Sequence, residues 1–538
     1  MSDWGELWPA MRFEAHFGDR VVPCFQHRPK SLYALLQQAV QNNPAGDALV
    51  CGMARLSYTE LLKQSSQLAT GFAKRGIKAG DRVAMLLGNR HEFVVTLFAL
   101  AHLGAIAVPI SIREQAPGLA YMLSHCAAVM VVHEADLAHL LPTVVDAPAL
   151  KYRVAMSACE GSELFGNLQE DGEVPPVQDV AEEDTAVILY TSGTTGRPKG
   201  AMLTHLGIVH SSLHYQIAMG LDASDASIAA VPLSHVTGLI ALITTLTLAS
   251  GKLVIMPSFK AADFLVLAER EGMTHTLMVP AMYNLCLLQS DFDKYNLSRW
   301  RVGAFGGAPM PVATIERLAQ TVPSLMLMNC YGSTETTSPS TLMPSGQTSA
   351  HNDTVGMPLG CVEMRVMDDK GCEVPPNVLG EIWIKGPHVV PGYWDNPGAT
   401  QENFTAGFWH SGDIGSMDAQ GYVKVVDRKK DMINRGGYKI YTIEVENALY
   451  AHPAVQECAV VSKPCPVLGE RVHAFVMLKT TASLEEELRE FCRSRLSDYK
   501  VPESFTLSST PLPRNANGKL VKKDMRDQLL KLIGATPS

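Results

Sequence analysis

TAVILYTSGTTGRPKGAML runs from Thr185 to Leu203. Its first six residues are uncharged and rich in β-branched and apolar side chains, which predicts a strand covered on both faces. The run then breaks into Thr191, Ser192, Gly193, Thr194, Thr195 and Gly196. Small residues let backbone N–H groups and hydroxyls crowd an anion, so such a loop after a strand predicts phosphate handling. It is not a Walker A loop. That pattern needs Gly-Lys followed by Ser or Thr, and here Pro198-Lys199-Gly200 stands in its place.

The same texture extends outward. From Arg82 to about Asn329, short apolar runs (RVAMLLGN, AIAVPI, AVMVVHE, SIAAVPL, KLVIMPS, THTLMVP, VGAFGG, LMLMNCYG), several of them uncharged, alternate with amphipathic segments such as HEFVVTLFALAHLG. This predicts an α/β architecture of mostly parallel sheets flanked by helices, with ligands beyond the carboxyl ends of strands. Two further strand ends have suitable chemistry: Gly306-Gly307-Ala308-Pro309, and Tyr331-Gly332-Ser333-Thr334-Glu335. After Val355, short alternating runs predict a small antiparallel or barrel-like region. The charge run DRKKD then leads into a compact α+β segment, in which Ser483 and Glu486 have capping-box spacing. We therefore expect a large domain over 1–427 and a small one over 428–538.

Composition narrows the class. The chain has 538 residues, 46% of them hydrophobic and 18% charged, with a formal net charge of -9. That fits a folded multidomain protein with no general attraction to nucleic acid or anionic membranes. The 11 cysteines show no C-x-x-C spacing and predict reduced thiols. LIALITTLTLA, Leu239 to Ala249, is too short to span a bilayer and predicts a buried helix instead. With no basic-then-apolar leader, the expectation is a cytoplasmic protein without a transmembrane segment. Whether copies associate into a homo-oligomer is not written in these residues.

YTSGTTGRPKG, YGSTET, SGDIG…GYVKVVDRKKDMI, GGYKI and PRNANGK, in that order, resemble the acyl- and aryl-CoA synthetases of the adenylate-forming superfamily. The resemblance covers essentially everything after about residue 50. It implies a reaction in which a carboxylate displaces pyrophosphate from ATP to give acyl-AMP, after which the CoA thiol displaces AMP. Charge then builds on phosphate and acyl oxygens, so positioned cations and donors should carry the catalysis. By this resemblance ATP, Mg2+ and CoA are the cofactors and a carboxylic acid is the substrate.

The resemblance also distributes roles. Thr191, Ser192, Gly193, Thr194 and Thr195 would grip the β- and γ-phosphates, with Lys199 adding charge or steadying the loop. Glu335 would hold Mg2+, which prefers oxygen ligands and few carboxylates. Thr334 would touch the α-phosphate, while Tyr331 with Gly332 and the Gly307-Ala308-Pro309 turn would wall the adenine slot. Asp413 would accept from the ribose hydroxyls and Arg428 would touch the same sugar. Lys519 would bridge the carboxylate and the α-phosphate. Lys430 would be the hinge, and Gly436, Gly437 and Lys439 would face the pantetheine arm of CoA. One position departs from the pattern: Thr442 stands where the family often carries proline, which predicts a looser turn.

His235, in PLSHVTG, resembles the residue at the mouth of the acyl pocket. Amino-acid-activating relatives place an aspartate beside it, and Val236 here offers nothing to a substrate ammonium. Small and apolar neighbours, among them Thr237, Gly238, Ala241, Ile240, Met278, Val279 and Met282, favour a fatty acid, with an aryl acid as the rival. Competing readings are an acyl-AMP ligase loading a carrier protein in trans, a monooxygenase on the same chemistry, and a nucleotide-binding sensor.

Overall fold

The computed structural model describes residues 4–191, 197–289, 291–308, 310–479, 484–514 and 520–532. The chain divides into two compact units. The first comprises Met1–Arg365, Trp383–His410 and Ala419–Val423, and the second Val366–Ile382, Ser411–Asp418 and Lys424–Ser538.

Two large sheets organise the first unit. A seven-stranded sheet runs in the order Lys199–Thr204, Thr185–Thr191, Ile106–Pro109, Arg82–Leu86, Met130–His133, Tyr152–Ala155 and Glu163–Leu164. Every neighbour is parallel except the first pair. The nine-stranded sheet has a parallel centre, from Met326–Ser333 through Val302–Gly306, His275–Met278, Ala226–Ala229 and Lys252–Ile255 to Asp47–Cys51. Antiparallel strands close both edges, Ser338–Leu342 and Met357–Pro358 at one and Ala54–Ser57 at the other. The expected mostly parallel α/β architecture is thus present, and the apolar runs are its strands.

Burial explains their composition. Met130–His133 and His275–Met278 are buried at every position, so neither face tolerates an unpaired charge. Helix His91–His102 is buried from Phe93 onward, as a helix apolar all round must be. Leu239–Ala249 is buried too, but its first part belongs to a π-helix, Thr237–Thr244, followed by the α-helix Thr245–Ala249. No described helix is long and apolar enough to cross a membrane.

Between 363 and 428 five strands, of 2 to 10 residues, form a further sheet, matching the expected small β region. A two-stranded antiparallel sheet, Met11–His16 with Arg20–Phe25, also belongs to the first unit, and the strands from Ile433 onward lie in the second. There Val455–Cys465 and Gly469–Leu478 make a long antiparallel hairpin, and the free edge of Gly469–Leu478 is shared by Ile433–Arg435, with Tyr438–Ile440 beyond it, at its start and by the parallel Ser504–Ser508 farther along. Side-chain alternation lets the hairpin serve two cores. Cys458, Val460, Val472 and Val476 pack with Val445, Leu449 and Leu488, whereas Ala459, Val461 and Phe475 pack with Met525 and Leu529. Helix Glu485–Arg493 has Leu484 at its cap with no side-chain cap bond, so Glu486 is its second residue rather than the third a capping box needs, and Ser483 lies outside the described residues.

Candidate active site

The glycine-rich loop joins two antiparallel strands, Thr191 pairing with Lys199 across its base. A Walker A loop leads from a strand into a helix, so this loop is built differently. Thr191 Oγ1 lies 3.4 Å from the Lys199 carbonyl and donates to it. Ser192, Gly193, Thr194, Thr195 and Gly196 lie outside the described residues, as do Pro309 and Lys519.

Parallel neighbours bring the next two strand ends together. Gly306 is in register with Cys330, so the chain leaves the sheet at Gly307-Ala308 beside Tyr331. Gly307 takes φ 78°, a left-handed conformation that favours glycine. Gly332 is needed for space: a Cβ there would lie 1.9 Å from the Ser338 carbonyl oxygen. The turn that follows is tight, with Thr337 and Ser338 at φ 48° and 91°. Thr336 Oγ1 pins it, accepting from Ser333 N at 2.9 Å and donating to the Ser338 carbonyl at 2.8 Å. Backbone strain of this kind persists only where the surroundings hold it.

That turn delivers Glu335, which is 7% exposed. Ser333 Oγ donates to Oε2 at 2.6 Å and the Tyr393 hydroxyl to Oε1 at 3.0 Å. Among the described residues no lysine or arginine pairs with it. A buried carboxylate with only hydroxyl partners suits a hard cation, which would supply the missing positive charge and take oxygen ligands. A second acidic group, Glu14 with His16 and Cys24, also brings its ligand atoms within 4.8 Å of one another. Arg28 already occupies that Glu14, donating at 2.7 and 3.0 Å, and burial pushes the Cys24 thiol up to about 12, so the trio is a poor metal site.

The segment 390–394 was not singled out in the sequence, yet it joins the two halves of this constellation. Val390 N donates to the Glu335 carbonyl at 2.9 Å, and Trp394 N to the Gly200 carbonyl at 2.7 Å. Between them Tyr393 bonds Glu335 through its hydroxyl and lies under the Lys199 ammonium, 5.1 Å from the ring centroid. Burial, then the Glu335 charge, holds the Tyr393 phenol well above its ordinary range, so it stays a donor.

His235 is half-buried just before the π-helix. Its Nδ1 accepts from Thr237 N at 3.3 Å and lies 3.1 Å from Thr237 Oγ1, which leaves the proton of the neutral ring on Nε2. Gly238 has no room for a side chain, since a Cβ would lie 2.3 Å from the Pro232 carbonyl oxygen. Val236 is 5% exposed, and Ile240 and Met278 are fully buried.

In the second unit, Asp413 and Arg428 are partners. Arg428 Nε lies 2.7 Å from Asp413 Oδ1, and its NH1 donates to the Ser411 carbonyl at 3.2 Å. Read separately in the sequence, the two form one pair with Asp413 buried. Lys430 is exposed two residues on. Gly436 and Gly437 take φ 58° and 92° between paired strands, the left-handed two-residue turn that glycine favours. Lys439 is exposed, 3.6 Å from Asp369.

Thr442 overturns the expectation of a looser turn. It is the first residue of helix Thr442–Tyr450 and fully buried. Its N–H donates to Asp427, and its hydroxyl lies 2.9 and 3.1 Å from the Asp427 carboxylate oxygens. Lys522 Nζ donates to that hydroxyl at 2.6 Å and pairs with Glu446 at 2.8 Å. Proline lacks the N–H, so threonine ties this junction more tightly. Burial raises both the Asp427 and Glu446 carboxyls above the usual range, with the Lys522 charge opposing it.

Comparisons with known proteins agree with this arrangement. Residues 36–394 match the AMP-binding enzyme family and residues 444–519 the AMP-binding enzyme C-terminal domain. A feruloyl-CoA synthase from Amycolatopsis is 33% identical, covering 90% of this chain and 96% of the relative. A long-chain-fatty-acid–CoA ligase from Escherichia coli is 30% identical, covering 93% and 95%. Among solved structures, o-succinylbenzoate CoA synthetase from Bacillus subtilis with its acyl-adenylate intermediate superimposes with a TM-score of 0.82 at 28% identity, over 92% of this chain and 97% of that one. The chain belongs to the AMP-binding enzyme family, among the AMP-forming acid–CoA ligases of the adenylate-forming superfamily.

Proposed function

We propose that this ligase activates a carboxylic acid with an apolar tail, a fatty acid first and an aryl acid as its rival, and passes the acyl group to CoA. The observation that carries this reading is Glu335, a buried carboxylate held by two hydroxyls on the same turn as Thr334 and beside the strand end at Tyr331. Val236 next to His235 supports an acid without an α-ammonium. The relatives are named for feruloyl, succinylbenzoate and long-chain fatty acids, which spans both tails.

In the first half-reaction a carboxylate oxygen attacks the α-phosphorus of ATP, the bond to the β-phosphate oxygen breaks, and pyrophosphate leaves. Lys519 draws the two anions together, a task suited to a compact ammonium. Thr191 to Thr195 and Lys199 hold the departing phosphates, and Thr334 donates to the α-phosphate. Glu335 holds Mg2+, which when bound offsets phosphate charge. Tyr331, Gly332 and Gly307 to Pro309 enclose adenine, and Asp413 with Arg428 holds the ribose. In the second half-reaction the CoA sulfur attacks the acyl carbon, the C–O bond to AMP breaks, and AMP leaves with the bonding pair. For that step the 428–538 domain turns about Lys430, and Gly436, Gly437 and Lys439 line the path of the pantetheine arm.

The test is pyrophosphate release with ATP, Mg2+ and a panel of fatty, aryl and dicarboxylic acids, with and without CoA. Lys519→Ala is expected to lower release about 100-fold or more, the loss typical of one transition-state contact. Acyl-AMP that CoA cannot discharge would instead identify a carrier protein as acceptor. Equal release from wild type and Lys519→Ala would refute the assigned chemistry.

A further inference from the structure

Tyr393 answers to none of the roles assigned above, yet it touches two of the groups that carry them. Its hydroxyl donates to Glu335 Oε1 at 3.0 Å while the face of its ring carries the Lys199 ammonium at 5.1 Å. The side chain is held in place. Tyr393 bridges to Ala201 in antiparallel fashion, Met202 N donates to the Gly392 carbonyl at 3.2 Å, and Tyr393 N donates to Thr400 Oγ1 at 3.0 Å. Thr400 also forbids a side chain at Gly392, where a Cβ would lie 2.6 Å from its methyl carbon. Tyr393 is 5% exposed, so its hydroxyl has a fixed position rather than a range.

Fixing that hydroxyl fixes a carboxylate. An ionised carboxylate offers about four lone-pair sites, and Tyr393 and Ser333 each occupy one, on opposite oxygens. The two remaining sites then point in set directions. The same ring holds Lys199 by cation–π attraction, which is strongest where water is excluded. One aromatic side chain thereby sets the relative placement of an anion and a cation that both serve the phosphates.

We infer that Tyr393 is a positioning residue for ATP binding: its hydroxyl, with that of Ser333, orients Glu335 toward a divalent cation, and its ring steadies Lys199. The inference rests on Glu335 as the metal-holding carboxylate. Groups that orient metal ligands typically change metal affinity by about 10- to 100-fold when removed.

The test is binding of ATP to the full-length protein by calorimetry and thermal shift, across a Mg2+ titration and in EDTA. Tyr393→Phe keeps the ring and removes the hydroxyl. It is expected to raise the Mg2+ concentration for half-maximal effect about 10-fold while leaving metal-free ATP affinity unchanged. Tyr393→Leu removes the ring as well and should weaken metal-free binding too, because Lys199 loses its platform. Ser333→Ala tests the other oxygen without touching Tyr393 and should shift the Mg2+ midpoint in the same direction. A purely structural tyrosine would lower the melting temperature of the ligand-free protein and leave the Mg2+ midpoint alone, which would overturn the inference. Glu335→Gln separates the two levels. If it leaves Mg2+ dependence intact, the metal-holding role of Glu335 fails. If it abolishes that dependence while Tyr393→Phe behaves as wild type, the positioning role alone fails.

Discussion

Mild acid should destabilise the first unit well before its carboxylates titrate, because helix His205–Met219 buries three histidines. His205 Nδ1 accepts from Leu32 N at 3.1 Å, and His210 Nε2 accepts from Phe25 N at 3.2 Å. Each therefore needs an unprotonated nitrogen to hold the N-terminal segment. His214 donates from Nε2 to the Gly360 carbonyl at 2.6 Å and is fully buried. Burial pushes His205 and His214 down to about 4 and His210 to about 3, from 6.5. The sign follows directly. Between pH 6.5 and 4 the unfolded chain binds these protons and the folded chain does not, so stability is complete above 6.5 and falls as pH drops. Each histidine loses about 1 kcal/mol between pH 6.5 and 5.5, or about 3 kcal/mol for the three. That is a large part of a typical stability of about 5–15 kcal/mol. All six tryptophans (Trp4, Trp8, Trp300, Trp383, Trp394 and Trp409) lie in the first unit, so their fluorescence during urea unfolding reports on it alone. Burial also holds His275 and His388 of this unit below their ordinary range and adds to the same loss. The midpoint should change little above pH 6.5 and fall from there to 5.5, and His214→Gln should remove one histidine's share of that loss, about 1 kcal/mol. A midpoint flat across that range, or an unchanged slope in the variant, would refute the reasoning.

Gly332→Ala places a methyl group on the Ser338 carbonyl and should cost about 1–3 kcal/mol or more; a melting temperature equal to wild type would show that the turn can yield. In the second unit, Thr442→Val keeps the N–H to Asp427 and loses the hydroxyl, whereas Thr442→Pro loses both, so urea stability should rank wild type, Val, Pro. A proline variant more stable than wild type, as proline at a first helical position often is, would mean that Asp427 does not need that donor. Arg428→Lys removes the Nε contact to Asp413 and should weaken ATP binding several-fold with little change in melting temperature; unchanged affinity would free the pair from any nucleotide role. Gly437→Ala forces a side chain to φ 92° and should destabilise by about 1 kcal/mol, read by thermal shift against Gly398→Ala, whose added methyl meets nothing within 4 Å.

Much of the fold was legible because burial leaves a compositional mark. A strand covered on both faces excludes charge, and Met130–His133 or Val302–Gly306 could be read from that alone. The hairpin around the glycine-rich loop was less legible. Lys199–Thr204 opens on a lysine and a glycine, and its pairing partner is set by the sheet rather than by its own residues. The site divided in the same way. Glu335 stands in a recognisable motif, whereas Tyr393 matters only because segments near 200, 335 and 393 meet, and no local pattern records that meeting. Thr442 was visible as a departure, but its effect was read with the wrong sign. The partner of its N–H lies fifteen residues away at Asp427, beyond the reach of turn chemistry.

The meeting of Asp427, Thr442 and Lys522 bears on how such a sequence can drift. Three chain segments, from the end of a strand, the start of one helix and the start of the last, share a single buried arrangement of charges and hydroxyls. Neighbours in one network do not change independently. Proline at 442 would leave the Asp427 carboxylate with only the Arg428 N–H of its two backbone donors, and neutralising Asp427 would leave Lys522 facing Glu446 alone. Homologous chains that differ at one of these positions should therefore differ at the others, and a substitution harmless in one background will be damaging in another. The history of the junction would then be written in correlated triplets rather than in any one residue.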